Sequence, residues 1–335
     1  MKSKEPLTVI DVAREAGVSP STVSRILNGT VRVSDAKRKS VEKVIERLGF
    51  TRNLMARGLK LGRTHTLGIV MPEVTSSFWE VSLKGIEDRL RGSGYAPMLT
   101  SGHWDAEQEA QRVEMLLQRQ VDGIILLSGR LSVDEIKRFA ARRPMAVFGR
   151  ALETKNAIGA ILDNRGGAFE ATTHLIELGH RQIAFIAGIP EHPDAAARMI
   201  GYRDALEAAG IAYDKKLVVQ GDFHETGGFN AMNRLIDSGR GFTAVFAAND
   251  QTALGARLAL YRRGLRLPDD VSLVGFDDLP VSRYSTPPLT TVHQPVYELG
   301  RSLVDAMFDL IEGRPAKLEV PPMQLIVRES TRRRS

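Results

Sequence analysis

The chain of 335 residues is 43% hydrophobic and 26% charged, a composition typical of soluble globular proteins with two or three domains, and no apolar run is long enough to span a membrane. It has no cysteine, which excludes disulfides, thiolate nucleophiles and cysteine-ligated metals. Its net charge of +6 comes from the first 60 residues, which hold 13 Lys or Arg and 6 Asp or Glu, whereas the rest holds 33 and 34. A basic head on a nearly neutral body favours a nucleic-acid-binding module attached to a second function.

Residues 8–28, TVIDVAREAGVSPSTVSRILN, predict two short helices joined by a tight turn, a helix-turn-helix. Each helix has one apolar stripe, and Gly17 gives the turn its backbone freedom. Ser19 as N-cap and Pro20 at the first helical position mark the start of the second helix. The side chains outside its stripe are Ser21, Thr22, Ser24 and Arg25. This short polar face suits the major groove of DNA, where arginine binds guanine; an ordinary surface helix is the alternative.

The next segments complete this head and connect it to the rest of the chain. Ser34 caps a third predicted helix that runs to about Leu48. Residues 52–62, RNLMARGLKLG, are weakly amphipathic and contain Gly58 in the middle. A helix this short is marginal in water, so we expect either a plain linker or a helix that forms only on a partner.

From Thr66 onward, short apolar runs alternate with helical stretches, which predicts parallel sheets covered by helices. The expected strands fall into two sets, at 66–72, 95–101, 122–128 and 144–149, and at 182–188, 216–222, 243–250 and 271–278. We therefore expect two similar α/β lobes, with the tail after residue 289 crossing back to complete both. Such sheets bind ligands at the carboxyl ends of their strands, so a small molecule held between the lobes is the natural inference.

A search for enzyme and metal motifs is negative. The sequence contains no GxxxxGK[ST], HExxH or GxSxG, and no GxGxxG after the first strand of either lobe. The histidines show no metal-ligand spacing, so we expect surface or core residues at His65, His103, His174, His180, His192, His224 and His293. The chain start lacks the apolar region of a secretory signal. These observations favour a cytoplasmic protein that is not an enzyme and uses no metal or cofactor.

The chain resembles the lactose-repressor/galactose-repressor (LacI/GalR) family of bacterial transcription regulators across nearly its whole length. The phrases in family order are TVIDVAREAGVSPSTVSRILNG, RNLMARGLKLGRTHTLGIV, RMIGYRDAL, AANDQTALGA, VSLVGFDDLPVSRY and PPLTTVHQP. The resemblance implies an α/β fold with an N-terminal three-helix helix-turn-helix head and a two-lobed, periplasmic-binding-protein-like core of doubly wound parallel sheets that dimerises. The implied boundaries are 1–51 for the head, 52–62 for a hinge helix and 63–335 for the core, with lobe 1 at about 63–159 plus 290–317 and lobe 2 at about 160–289 plus 318–330.

The resemblance also implies which residues bind DNA. Base and phosphate contacts would fall on Ser19, Pro20, Ser21, Thr22, Ser24, Arg25, Asn28 and Asn53. Leu59 would be a wedge in the minor groove, a role that needs a hinge helix paired with that of a dimer mate. One departure is Arg52, which stands where hinges of the family often carry proline.

A second set of residues is implied for a small-molecule effector. The polar contacts would be Arg198, Asn249, Asp250, Asp277 and Gln294. Flat walls would come from Phe78, Trp79 and Phe223, and less from Trp104, although each could instead be a core residue. Arg150 also follows a predicted strand. Carboxylates, amides, arginine and aromatic faces together suit a sugar.

The leading hypothesis is a cytoplasmic homodimeric repressor of a sugar-utilisation operon. It would bind a pseudo-palindromic double-stranded DNA operator and release it when a small sugar closes the core. A purine-like corepressor that strengthens DNA binding is an alternative, because the same aromatic rings could hold a planar base. A sugar-binding receptor without a DNA role is a third, opposed by the basic head and the missing signal. The phrases RYSTPPLTTV and VSRY favour the galactose-type branch.

Overall fold

The computed structural model describes residues 7–28, 33–50 and 62–334, and the chain divides between Thr64 and His65 into two compact units. The predicted hinge, apart from Gly62, lies outside the described residues, as do Asn53 and Leu59. The predicted boundaries of head, hinge and core therefore stay predictions. No helix among the described residues is long and apolar enough to cross a bilayer.

The described residues of the first unit form three helices around one small core. They are α1 (Val9–Glu15), α2 (Pro20–Asn28) and α3 (Asp35–Leu48). Helix α1 begins with a capping box, in which the Thr8 backbone N–H donates to the Asp11 carboxylate over 2.9 Å. Gly17 turns the chain towards α2 at a φ of 63°, a conformation that favours glycine. The buried side chains are Val12, Ala13, Val23, Val41, Val44 and Phe50.

The second unit contains two lobes, and the first is built on a six-stranded sheet in the order β2-β1-β3-β4-β6-β5. Its elements are β1 (Thr66–Met71), α4 (Ser77–Leu90), β2 (Ala96–Ser101), α5 (Ala106–Gln118), β3 (Gly123–Leu127), α6 (Val133–Ala140), β4 (Met145–Phe148), β5 (Leu152–Thr154) and β6 (Ala157–Ala160). All pairs are parallel except β5 with β6. The central strands β1, β3 and β4 are buried almost throughout, as expected of a sheet covered by helices on both faces.

The second lobe repeats this design with the strand order β12-β11-β10-β9-β7-β8. Its elements are α7 (Asn164–Glu177), β7 (Ile183–Ala187), α8 (Pro193–Ala208), a 3-10 turn (Lys215–Leu217), β8 (Val218–Gln220), α9 (Glu225–Asp237), β9 (Ala244–Ala247), α10 (Asp250–Arg262), β10 (Ser272–Asp277), α11 (Pro280–Tyr284), β11 (Thr290–His293) and β12 (Gln324–Ile326). Helix α12 (Val296–Ile311) lies between β11 and β12 in sequence and packs on the core of the first lobe. The predicted α/β class with two parallel sheets is confirmed.

The tail corrects one predicted boundary. Residues 290–293 form β11, which pairs in parallel with β10 of the second lobe, so their assignment to the first lobe is wrong. The physical reason is that Val292 is buried in the second lobe beside Phe276. The chain crosses to the first lobe only at α12, whose apolar side chains complete that core.

Candidate functional site

Helix α2 presents a polar face at its N-terminal end. The Ser19 hydroxyl oxygen accepts the Thr22 backbone N–H over 3.2 Å and so caps the helix. The same oxygen lies 2.8 Å from each of the hydroxyls of Ser21 and Thr22. These three hydroxyls form one connected group at the start of α2, where backbone N–H groups favour a phosphate.

Arg25 lies one turn further along the same helix. Its side chain is exposed, and it forms no ion pair with another described residue, so its guanidinium is available to a partner. Ser19, Pro20 and Ser21 are also exposed, whereas Thr22 and Ser24 are half-buried. The side chain of Asn28 lies outside what the structure describes. The predicted DNA-binding residues of α2 that are described therefore lie on or beside one exposed face.

A cleft of about 590 Å³, counting the space open to solvent, lies where strands of both sheets in the core end. Its walls come from the first lobe through Glu73, Ser76, Phe78, Trp79 and Trp104, and from the second lobe through Ile189, His192, Asp194, Arg198, Asp222, Phe223, His224, Asn249, Gln251 and Asp277. These residues follow strands or begin the next helices, as the rule for doubly wound sheets predicts. The structure thus brings seven of the ten residues implied for the effector to one cleft.

Arg198 is a buried cation of this cleft. Its Nε donates to the Asn164 side-chain oxygen over 2.8 Å, and Nη1 donates to the Ala248 carbonyl over 2.5 Å. Nη1 also lies 3.6 Å from the Asp277 carboxylate, and the guanidinium carbon lies 3.8 Å from the centre of the Phe276 ring. The arginine is held rigidly, with one edge towards Asp277.

Asp277 ends β10 and lies between a guanidinium and an amide. Its Oδ1 accepts a hydrogen bond of 2.7 Å from Gln294, and its φ of 115° is unusual for a residue with a side chain. Burial raises the pKa of Asp277 to about 7, although Arg198 opposes this shift. Asp277 therefore changes charge near neutral pH.

Asn249 connects two parts of the second-lobe wall. Its side-chain oxygen accepts the Thr252 N–H over 2.9 Å and caps α10, while its Nδ2 donates to the Phe223 carbonyl over 2.9 Å. Phe223 has a φ of 70°, and its ring lies 5.4 Å from the imidazole of His192. Asn249 thus holds the Phe223 loop against the cleft.

The aromatic residues of the first lobe differ in exposure. Phe78 is half-buried at the start of α4, and its ring lies 4.8 Å from that of Trp79 in an edge-to-face arrangement. Trp79 is only 5% exposed and packs against Phe148. Phe78 therefore lines the cleft with a half-buried ring, whereas Trp79 is mainly a core residue that borders it.

The implied effector residues that lie outside the cleft walls are Arg150, Gln294 and, as described below, Asp250. Arg150 donates to the carbonyls of Gly149 and Gly129 over 2.8 Å each and so ties the ends of β4 and β3 together. Gln294 lies behind Asp277 and orients its carboxylate. A direct effector contact by either residue stays a prediction.

Asp250 is fully buried and serves the scaffold. Its carboxylate accepts hydrogen bonds from the Leu279 N–H over 2.8 Å, the Ser282 hydroxyl over 2.6 Å and the Thr291 hydroxyl over 2.5 Å. These bonds fix the segment that follows Asp277. Asp250 therefore has a positioning role in the scaffold, and the implied ligand contact at Asp250 stays a prediction.

His192 is the main residue of the cleft that sequence reasoning missed. Its ring lies 4.6 Å from Trp104 of the first lobe, and nearby Arg130 donates to the Glu191 carbonyl over 3.1 Å, so the two lobes touch here. Its Nδ1 accepts the Asp194 N–H over 3.1 Å, and burial lowers its pKa to about 4. Its position in the loop after β7 could have identified it, because doubly wound sheets bind ligands at the carboxyl ends of their strands.

A helix-turn-helix with an exposed polar face and a two-lobed cleft in one chain define a class of protein, the DNA-binding regulators that respond to a small ligand. The comparisons agree. Residues 8–53 match the family model for bacterial regulatory proteins of the lacI family, and residues 172–331 match that for a periplasmic binding protein-like domain. The chain belongs to the LacI family of bacterial transcriptional regulators, as predicted.

Three similar proteins cover nearly the whole chain. The HTH-type transcriptional repressor CytR of Escherichia coli (strain K12) is 34% identical over 334 residues, 99% of this chain and 98% of CytR. The transcriptional regulator CelR, solved as a cellobiose complex, is 36% identical with a TM-score of 0.70, covering 97% of this chain and 99% of CelR. The lac repressor dimer, solved on its operator with the anti-inducer ONPF, is 29% identical with a TM-score of 0.86, covering 98% and 100%.

Proposed function

We propose that this chain is a homodimeric repressor of a sugar-utilisation operon, which binds a pseudo-palindromic operator through α2 and leaves it when a small sugar or sugar derivative fills the cleft. The observation that carries the proposal is the composition of the cleft, which has rigidly held polar groups between aromatic walls. It lies in a chain that also has an exposed helix fit for the major groove. We further propose that the cleft binds its ligand without turnover and that the protein acts in the cytoplasm.

The polar groups of the cleft match the chemistry of a sugar. Hydroxyls donate to carboxylates such as Asp277 and accept from donors such as the guanidinium of Arg198. The apolar face of a sugar ring packs on an aromatic face, and Phe78 and Phe223 offer one from each lobe. The relative CelR, solved with cellobiose, supports this ligand class.

The homodimer is supported by apolar side chains exposed on the second lobe. Leu258, Tyr261 and Tyr284 are 44%, 79% and 85% exposed on helices α10 and α11. Large apolar side chains gathered on exposed helices mark contact surfaces. A two-fold dimer would bring two α2 helices to the two half-sites of one operator, which is why we expect pseudo-palindromic DNA.

The release mechanism we propose is a linkage between lobe closure and DNA binding. The lobes already touch through Trp104 with His192 and through Arg130 with the Glu191 carbonyl. A ligand that contacts both walls favours one arrangement of the lobes, and the operator favours another. Thermodynamic reciprocity requires the two binding free energies to be coupled by the same amount.

A purine-like corepressor is the second candidate. It is favoured by one observation, that Phe78 and Phe223 come from opposite lobes and could enclose a flat base. Such a ligand would strengthen operator binding, so the sign of its effect separates it from an inducing sugar.

The test begins with the purified full-length protein and random DNA duplexes, from which the preferred operator is selected. Fluorescence anisotropy then measures operator affinity without ligand and with cellobiose, galactose, adenine or guanine. We expect a sugar to weaken operator binding. Stronger binding with a purine would establish the corepressor, and failure to select any sequence would reject the regulator.

A further inference from the structure

We propose that the cleft selects uncharged or amino sugars and rejects phosphorylated and carboxylated ones. This inference rests on the proposed sugar effector and adds the charge of the ligand to it. It comes from the distribution of charge around the cleft walls, where acidic groups outnumber basic ones.

Carboxylates approach the cleft from four separate segments. Glu73 follows β1 in the first lobe; Asp194 begins α8, Asp222 follows β8 and Asp277 ends β10 in the second lobe. Carboxylate oxygens only accept hydrogen bonds, so they bind hydroxyl and ammonium groups. A phosphate placed among them would meet repulsion from both lobes.

The cations do not offset these carboxylates. Arg198 is the one arginine among the described cleft walls, and there is no lysine; its Nε and Nη1 are taken by Asn164 and Ala248. Arg130 and Arg150 lie close to His192, but each guanidinium donates to backbone carbonyls. Both also lie near the buried carboxylate of Glu109. Part of the donor capacity of each of these guanidinium groups is therefore already used by the protein itself.

Two of the helix N-termini at the cleft, those of α8 and α10, are capped by side chains, whereas those of α4 and α9 are not. Such termini commonly bind phosphate through their first N–H groups. Here the Asp194 N–H of α8 donates to His192 over 3.1 Å, and the Thr252 N–H of α10 donates to Asn249 over 2.9 Å. The His224 N–H before α9 donates to Asp222 over 2.9 Å. At α8 and α10 the protein's own side chains thus take N–H groups that an anionic ligand would otherwise use.

His192 supplies a donor without adding charge. It is 7% exposed, and its Nδ1 accepts a backbone N–H, so the proton of the neutral ring is on Nε2. No described residue accepts a hydrogen bond from Nε2. A sugar hydroxyl can accept this proton and at the same time donate its own to a carboxylate, which an ionised phosphate cannot do.

The experiment is calorimetry on the full-length protein with matched ligand series. One series is galactose, galactosamine, galactose 6-phosphate and galacturonate; the others are the glucose equivalents and cellobiose with its 6-phosphate. We expect the neutral or amino member to bind at least about tenfold more tightly than its anionic counterparts.

Two variants separate charge from size. Glu73→Gln and Asp222→Asn remove one negative charge each with little change of shape, and each should reduce the discrimination severalfold. The matched control is Asp134→Asn, at a side chain that is 96% exposed on α6. This variant should leave the discrimination between neutral and anionic sugars unchanged.

Three results would overturn the inference. Equal or tighter binding of a phosphorylated sugar, with operator binding and release intact, would reject the charge selection and leave the proposed function standing. If both charge variants discriminate between neutral and anionic sugars as strongly as the wild type, the discrimination depends on the size of the ligand and not on its charge. Binding of none of these sugars by a protein that still binds its operator would reject the sugar effector itself.

Discussion

At the residue scale, Asp277 shows how position changes the chemistry of a side chain. An exposed aspartate is ionised at neutral pH, but burial at the end of β10 raises the pKa of Asp277 to about 7. Arg198 and Gln294 counteract this shift without cancelling it. The sequence predicts an aspartate at a strand end; it does not reveal this titration, which depends on how deeply the fold buries the carboxyl group.

Asp277 should make effector binding depend on pH. Because the ionised carboxylate accepts a sugar hydroxyl and is half protonated near pH 7, affinity should rise between pH 6 and pH 8, with proton release on binding at the lower pH. Asp277→Asn should bind more weakly and lose this part of the pH dependence. Calorimetry of both proteins across this range measures it, and identical pH profiles would exclude a role for Asp277.

Arg198 should be required for the response to effector and not for DNA binding. Arg198→Lys keeps the charge but cannot reproduce the forked contacts to Asn164 and Ala248, and leaves buried acceptors unpaired at a cost of about 1–3 kcal/mol. The operator affinity measured by fluorescence anisotropy should be unchanged, while the release of the operator on ligand binding should be lost. Arg203→Lys, exposed on the same helix, is the control. Release as efficient as in the wild type would make Arg198 purely structural.

At the element scale, the sequence predicts most of the helices and strands and misses the short ones. Eight strands have apolar runs that can be recognised without a structure, whereas β5 has one apolar residue followed by two exposed polar ones, and β6 has Ile158 as its one large apolar side chain. These two form only because each has a neighbour to pair with. The sequence also predicts that the tail after residue 289 completes both lobes, but which sheet residues 290–293 join depends on burial of Val292, a long-range contact.

Helix α2 is predicted to contact the bases of the operator. Arg25→Ala should abolish specific operator binding, because a bidentate contact with guanine contributes ~1–3 kcal/mol and a dimer makes it twice. Circular dichroism and effector affinity should be unchanged. Arg14→Ala, 73% exposed on α1, should affect specific and nonspecific DNA alike. Unchanged specific affinity of Arg25→Ala in anisotropy titrations would remove it from the reading face.

At the scale of the whole molecule, the arrangement of the domains can be predicted from the sequence, whereas the contact between the two lobes cannot. Apolar periodicity predicts the head, the two lobes and the place of the cleft, since each follows from local pattern and the strand-end rule. The contact between the lobes at Trp104 and His192 joins residues far apart in sequence. No local pattern encodes such a contact, and so the histidine is mistaken for an ordinary core or surface residue.

The proposed dimer predicts a defect that acts at a distance from DNA. Tyr284→Asp places a charge on an exposed apolar surface and should shift sedimentation from dimer to monomer, with operator affinity falling as the second half-site is lost. Val327→Asp, at a side chain of the same lobe that is 58% exposed, serves as control. A Tyr284→Asp protein that sediments as a dimer would place the interface elsewhere.

The walls of the cleft have a spectroscopic consequence. The chain has two tryptophans, Trp79 and Trp104, and both line the cleft. All of the intrinsic indole emission therefore originates at the proposed effector site, and the head contributes none. Effector binding should change the wavelength or intensity of that emission in the unlabelled protein, so occupancy of the cleft can be followed optically while a dye on the DNA reports release.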